Sequence, residues 1–310
     1  MWIKRGCIFN IEKSQILGSS THAQVPAPFV MHDRIRVYYA ARFNGKAFVQ
    51  YFDLAFDLKT ILGHSHHMVL EIGKPGAFDA DGIMPSCIIK EGDEIWMYYI
   101  GWSKLSGEHA RYQNEIGIAV SRDEGETFER MFEGPVMGRL PTEPGLAVMP
   151  FVMFKNWFRM WYQSGTGWTE VGEQYEPLYV IKYAESVDGV KWDRLPNICI
   201  ESNFLLEAFS RPSIFFDEKL GIYNMWFCYR DSEDYRGGNG SYRIGKAVSS
   251  DGIKWQRNKY IFPLGKEGEW DSEMTCYPYI IEVNGKLTMF YNGNGFGQSG
   301  IGIATWEEIH

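Results

Sequence analysis

The sequence predicts an all-β chain: a five-bladed β-propeller of four-stranded antiparallel blades. Three observations predict it. One motif recurs along the chain, an aromatic-rich hairpin precedes each copy, and no stretch of useful length follows a helical period.

The recurring motif reads IGIAVSRDEGETFER at 116–130, IKYAESVDGVKWDR at 181–194 and IGKAVSSDGIKWQR at 244–257. Its serines, Ser121, Ser186 and Ser249, stand 65 and 63 residues apart. A shortened copy, IGIATWEEI, occupies 301–309. Each full copy reads as a strand, a turn built on Asp and Gly, and a short strand bearing Trp or Phe. Gly suits such turns because it accepts positive φ. Asp123, Asp188 and Asp251 are therefore read as turn formers. These pieces look like shortened Asp-box hairpins of sialidases, which are structural.

A hairpin lies roughly 25 to 35 residues before each motif. It runs from a proline through a short apolar strand and a polar turn into an aromatic strand. Pro85 leads to IWMYYIGW, Pro150 to WFRMWYQSG, Pro212 to IYNMWFCYRD and Pro278 to LTMFYNGNG. In the first unit Pro28 leads to RIRVYYAARF, with AFVQYFDLAF as its third strand. The chain thus divides into one domain, 1–310, with blades at about 12–70, 71–135, 136–198, 199–262 and 263–310 plus 1–11. Radial repetition removes long exposed sheet edges. The lone N-terminal strand WIKRGCIFNI is expected to supply the missing outer strand of the last blade, closing the ring.

Composition narrows the function. Aromatic residues make up 16% of the chain and apolar residues 45%, enough for packed sheets and for stacking on sugar faces. The formal net charge is −8 with no long basic run, which argues against nucleic acid and anionic membrane as partners. The five cysteines are scattered without a CxxC pair and read as reduced thiols of a cytoplasmic protein. No apolar segment follows the N-terminal charges as in a signal peptide, and no run spans a membrane. Oligomeric state is left open by the sequence.

In a propeller the innermost strands run along the axis, and the loops feeding them open onto an axial pocket. The Pro-led strands are the innermost candidates. Their feeding loops carry Asp79 and Asp81, Glu143, Glu207, and Asp271 and Glu273. Convergence of these six acids is expected to raise some pKa values, leaving a protonated acid beside an ionised base. Asp81, Glu143, Glu207 and Glu273 are the catalytic candidates, with Glu207 or Glu143 as general acid and Asp81 or Glu273 as base or nucleophile. Asp79 and Asp271 each follow an aromatic residue and equally suit turn formation. With His22, Gln24, Trp102, Arg211 and Arg230 they form the expected substrate-binding set. Arg42, Arg111 and Trp168 stand near the same rim. No cofactor is implied, although the axial channel has room for a structural ion. The His64-Ser65-His66-His67 cluster lacks a Cys or acid at ligand spacing, so no metal site is assigned. The segment GNGFGQSG is a hairpin loop, not a phosphate loop, since no helix or Lys-Ser/Thr follows.

Four segments, FDADGIMPSCIIKEGDEIWMYYIGW, IKYAESVDGVKWDR, SRPSIFFDEKLGIYNMWF and WDSEMTCYPYIIEVNGKLTMFYNGNG, resemble the five-bladed propeller glycosidases of glycoside hydrolase families 32, 43 and 68. The resemblance covers nearly the whole chain. It implies a glycosidase acting on a carbohydrate, with three acids from the first three blades serving as base or nucleophile, as orienting group and as general acid. The chain departs from that layout. His22 and Gln24 stand where the first blade's Asp is expected, and Met84 and Met149 precede Pro85 and Pro150. Two other readings follow: glycosyl transfer or phosphorolysis with arginines holding an anion, and a sugar-binding propeller without catalysis.

Overall fold

The computed structural model describes residues 1–11, 20–105, 112–143, 145–236 and 238–308. Strand β1 (Trp2–Phe9) precedes five meanders. The first holds β2 (Thr21–Val30), β3 (Ile35–Phe43), β4 (Lys46–Leu54) and β5 (Ile61–His64). The second holds β6 (Gly82–Glu91), β7 (Glu94–Lys104), β8 (Tyr112–Ser121) and β9 (Glu129–Arg130). The third holds β10 (Ala147–Lys155), β11 (Trp157–Val171), β12 (Gln174–Ser186) and β13 (Asp193–Ile198). The fourth holds β14 (Glu207–Asp217), β15 (Ile222–Asp231), β16 (Arg243–Ser249) and β17 (Gln256–Ile261). The fifth holds β18 (Cys276–Val283), β19 (Lys286–Asn292) and β20 (Ile301–Trp306), and β1 pairs antiparallel with β20 from Trp2↔Trp306 to Phe9↔Ile301. A single parallel bridge, Ala47↔Gly82, joins the first two meanders into one sheet. No helix among the described residues is long and apolar enough to cross a membrane.

The repeated Asp turns do more than reverse the chain. Ser186 Oγ accepts from Gly189 N at 2.9 Å, and Asp188 Oδ1 accepts from Val190 N and Lys191 N at 2.9 and 2.8 Å. The Ser249–Asp251 turn repeats these bonds on Gly252, Ile253 and Lys254. Fixing the turn exposes one carbonyl to the preceding meander. Tyr38 Oη donates to Gly125 O at 2.8 Å, Tyr98 Oη to Gly189 O at 2.8 Å, and Trp161 Nε1 to Gly252 O at 2.6 Å. Each turn thus docks on a buried aromatic of its neighbour, satisfying a polar group that burial would otherwise penalise.

The leading strands β2, β6, β10, β14 and β18 each carry a register break against their partner. At four of these breaks the backbone is left-handed immediately before a proline: Val25 (φ 54°), Met149 (φ 52°), Arg211 (φ 53°) and Tyr277 (φ 52°). The bulge re-aims these side chains, as bulges beside functional sites do. This register corrects the first meander: Pro26, not Pro28, matches Pro150, Pro212 and Pro278, because Pro28 sits past the break, paired with Val37.

Candidate functional site

A cavity of about 410 Å³ opens where the five leading strands converge. All five contribute: Gln24 and Val25 from β2, Met84 from β6, Val148 and Met149 from β10, Ser210 from β14 and Tyr277 from β18. Apolar side chains from the bulges make the floor, where Val25, Ile100, Val148 and Met149 pack with Met84 and Tyr277. Trp102, Tyr112, Tyr179, Tyr235, Tyr242 and Phe296 give the walls an aromatic character. Trp102 is seated against Gly82, where a Cβ would lie 2.2 Å from the indole nitrogen.

The polar lining is cationic. Arg230 is 1% exposed and donates to Tyr242 Oη at 3.2 Å, Ser232 Oγ at 2.9 Å and Pro177 O at 2.7 Å, with its guanidinium 3.7 Å from the Tyr235 ring centre. Arg236 makes two bonds to Glu176, at 2.7 and 2.9 Å. Arg42 and Lys46 enter from the end of β3 and the start of β4. Gln24 donates through Nε2 to Phe296 O at 2.7 Å, while its buried Oε1 and the Oδ1 of Asn114 have no partner among the described residues. His22, expected to bind substrate, is not among the residues lining the cavity and lies beside Arg42. Burial, then the Arg42 charge, push its pKa down to about 4, so the imidazole is neutral at neutral pH. Burial raises the phenol pKa values of Tyr179, Tyr242 and Tyr277, which therefore face the cavity as protonated hydroxyls.

The six predicted acids do not converge on this cavity, and among the described residues no carboxylate lines it. Four of them serve one repeated structural device. Asp79 accepts from Tyr99 Oη at 3.0 Å and Arg130 Nε at 2.8 Å. Glu143 accepts from Tyr162 Oη at 2.9 Å, Lys182 Nζ at 3.1 Å and Arg194 at 3.0 Å. Glu207 accepts from Arg257 at 2.7 Å and from the Asn203 amide at 2.6 Å. Asp271 accepts from Lys4 Nζ at 2.7 Å and Tyr291 Oη at 2.9 Å. The cation comes each time from the fourth strand of the unit (β9, β13, β17 or β1), so the pair clamps the feeding loop to the outer edge. The physical reason is desolvation: a buried carboxylate needs a cation and hydrogen-bond donors to stay ionised.

The remaining candidates separate. Asp81 stays partly exposed with its Oδ2 on the Lys104 amide at 2.7 Å, and its own amide bonded to Trp102 O. Glu273 points to solvent. Gln24, Trp102 and Arg230 line the cavity as expected. Arg211 does not line it. It is 1% exposed, with bonds to Ser86 Oγ at 2.7 Å and Pro26 O at 2.9 Å, and burial pushes its pKa down to about 10. Trp168 stacks edge-on against Tyr112, whereas Arg111 lies outside the described residues. Tyr112, Asn114, Tyr235, Arg236 and Tyr242 come from the starts of third strands and the loops before them, and Tyr179 from the middle of β12, and no period marks them in the sequence.

No family model matches the chain. The uncharacterized protein Rv1502 of Mycobacterium tuberculosis (strain ATCC 25618 / H37Rv) is 32% identical over 319 residues, covering 99% of each chain. Among solved structures, one described as a glycoside hydrolase superposes with a TM-score of 0.73 at 17% identity, over 99% of this chain and 92% of its own. A thermostable family-43 glycoside hydrolase superposes with a TM-score of 0.68 at 13% identity, over 95% and 93%. The fold is that of the propeller glycosidases. With 32% of residues identical across nearly the full length of both proteins, the chain belongs to the family of Rv1502.

Proposed function

We propose that the whole chain is a single five-bladed β-propeller, closed where β1 completes the last blade, and that it is a carbohydrate-active enzyme whose substrate occupies the axial pocket. Closure is supported by one buried cluster in which β1, β3 and β4 pack with β18, β19 and β20. The saccharide reading rests on the pocket itself: aromatic walls and apolar floor with a few convergent polar groups, open at the end of five strands. Sugars present C–H faces to rings and hydroxyls to amides and phenols, which matches this lining.

Asp81 is the acid we assign to the reaction at a glycosidic bond. It stands at the Trp102 rim and, among the described residues, has no cation within ion-pair distance. A second reading, sugar binding without cleavage, is favoured by the absence of carboxylates from the described pocket lining. Hydrolysis by paired carboxylates needs two acids flanking the scissile bond. A panel of nitrophenyl glycosides, assayed with and without phosphate, separates the two. Where a substrate turns over, Asp81→Asn is expected to lower the rate about 10²- to 10⁴-fold. An unchanged rate removes Asp81 from the chemistry, and sugar binding without turnover across the panel supports the second reading.

A further inference from the structure

The pocket and the molecule carry opposite charge. The chain holds 31 Lys and Arg against 39 Asp and Glu, so its surface on average disfavours anions. The cavity nonetheless gathers Arg42, Lys46, Arg230 and Arg236, with no carboxylate among its described lining residues. One acid stands behind them, Glu176, and its two oxygens are both bonded to Arg236.

The other cations lack an acid within ion-pair distance among the described residues. Arg230 meets hydroxyls, a carbonyl and ring faces. Lys46 Nζ donates to Ala80 O at 3.3 Å. Arg42 lies exposed at the end of β3, on the cavity wall, with no hydrogen-bond or ionic partner among the described residues. Arg36 shows the usual arrangement elsewhere in the molecule: Asp53 holds it through bonds of 2.8 and 2.9 Å. Arg130, Arg194 and Arg257 are likewise paired with acids. Gathering four cations on one cavity wall costs mutual repulsion, which an anion would relieve.

Acceptors complete the picture. Gln24 Oε1 and Asn114 Oδ1, on the same lining, are buried without a donor among the described residues. Orphaned acceptors of this kind fit hydroxyl donors.

We propose that the pocket takes a saccharide bearing an oxyanion, either a phosphate ester or a carboxylate, with Arg42 binding the oxyanion and Gln24 and Asn114 accepting from hydroxyls. The planar guanidinium fork matches both oxyanions. This deepens the saccharide reading and rests on the same pocket.

Calorimetric titration of the full-length protein tests it, using a hexose 1-phosphate, a hexuronate, inorganic phosphate and a neutral hexose, on wild type, R42Q and R42K. One charged sugar should bind about tenfold to a hundredfold more tightly than the neutral hexose. Which of the two it is identifies the anion as ester or carboxylate. The preference should collapse in R42Q and return in part in R42K. R42Q should melt no lower than wild type, since the Arg42 side chain has no partner among the described residues, so lost binding is not lost folding. Equal binding of neutral and charged sugars overturns the inference and leaves the saccharide reading standing. Binding of inorganic phosphate without any sugar overturns the saccharide reading and keeps an anion site. A preference that survives in R42Q removes Arg42 from it, and silence from all four probes overturns both.

Discussion

Glu143→Ala is expected to cost about 3–5 kcal/mol of folding stability, seen as a lower urea midpoint at unchanged slope. The carboxylate is 7% exposed and receives Tyr162, Lys182 and Arg194. Truncation leaves the Lys182 and Arg194 side chains, 12% and 10% exposed, charged and unpaired against each other. Removing one partner of a buried pair costs far more than the pair is worth against an apolar replacement. The exposed Arg5–Glu307 pair is the control, since Glu307→Ala should change stability by about 0.5 kcal/mol or less. The effect also has a pH signature. Burial raises the Glu143 pKa, but the Lys182 and Tyr162 hydrogen bonds and the cationic charges outweigh it, so the net shift is downward. A lowered carboxyl stabilises fully above its unfolded pKa, about 4.3, and that contribution disappears as pH falls through the lower folded value. The gap between wild type and variant should therefore be constant near neutrality and close only in acid. A loss no larger than that of Glu307→Ala would mean that the carboxylate is not a clamp.

Deletion of residues 1–9 should abolish folding, leaving insoluble or unfolded protein. The segment contributes far more than its hydrogen bonds to β20. Trp2 packs edge-on against Trp226 and Trp306 at 5.6 and 5.4 Å, in the fourth and fifth meanders. Phe9 stacks on Phe52 at 4.3 Å and leans on Tyr39 at 5.0 Å, both in the first. Lys4 neutralises Asp271. Losing one buried Trp or Phe costs about 3–5 kcal/mol, so losing both approaches the whole stability of an ordinary domain, about 5–15 kcal/mol. The bare β20 edge would in addition invite edge-to-edge pairing. A peptide of residues 1–11 added in trans should restore part of the folded signal. A truncated protein that melts within a few degrees of full length would contradict closure by this strand.

Much of the architecture was legible because repetition makes it so. The Ser-Asp-Gly turns at Asp123, Asp188 and Asp251 bond as a turn reading requires, and WIKRGCIFNI pairs with β20. What the turns dock on, Tyr38, Tyr98 and Trp161, was not legible, since those partners lie about 90 residues away in the chain. That Asp79, Glu143, Glu207 and Asp271 pair with cations was not legible for a related reason. A carboxylate in a feeding loop looks the same whether it faces substrate or a cation. The distinguishing signal was present in the arginines that end each repeat, since Asp79–Arg130, Glu143–Arg194 and Glu207–Arg257 are separated by 51, 51 and 50 residues. A cation recurring at a fixed remove from each of these three acids indicates a structural pair in those units. Arg42 was set near the rim by its place at a strand end, whereas Tyr179, within β12, and Arg236, in a loop, escaped because no period sets them on one cavity wall.

The most direct test of the account is a crystal structure of the protein with a bound saccharide. The account predicts the sugar inside the 410 Å³ cavity, in contact with Trp102 and with a polar substituent on Arg42. The carboxylates of Glu143 and Glu207 should remain bonded to Arg194 and Arg257. A sugar seated against Glu143 or Glu207 with those pairs broken, and the cavity empty, would contradict it.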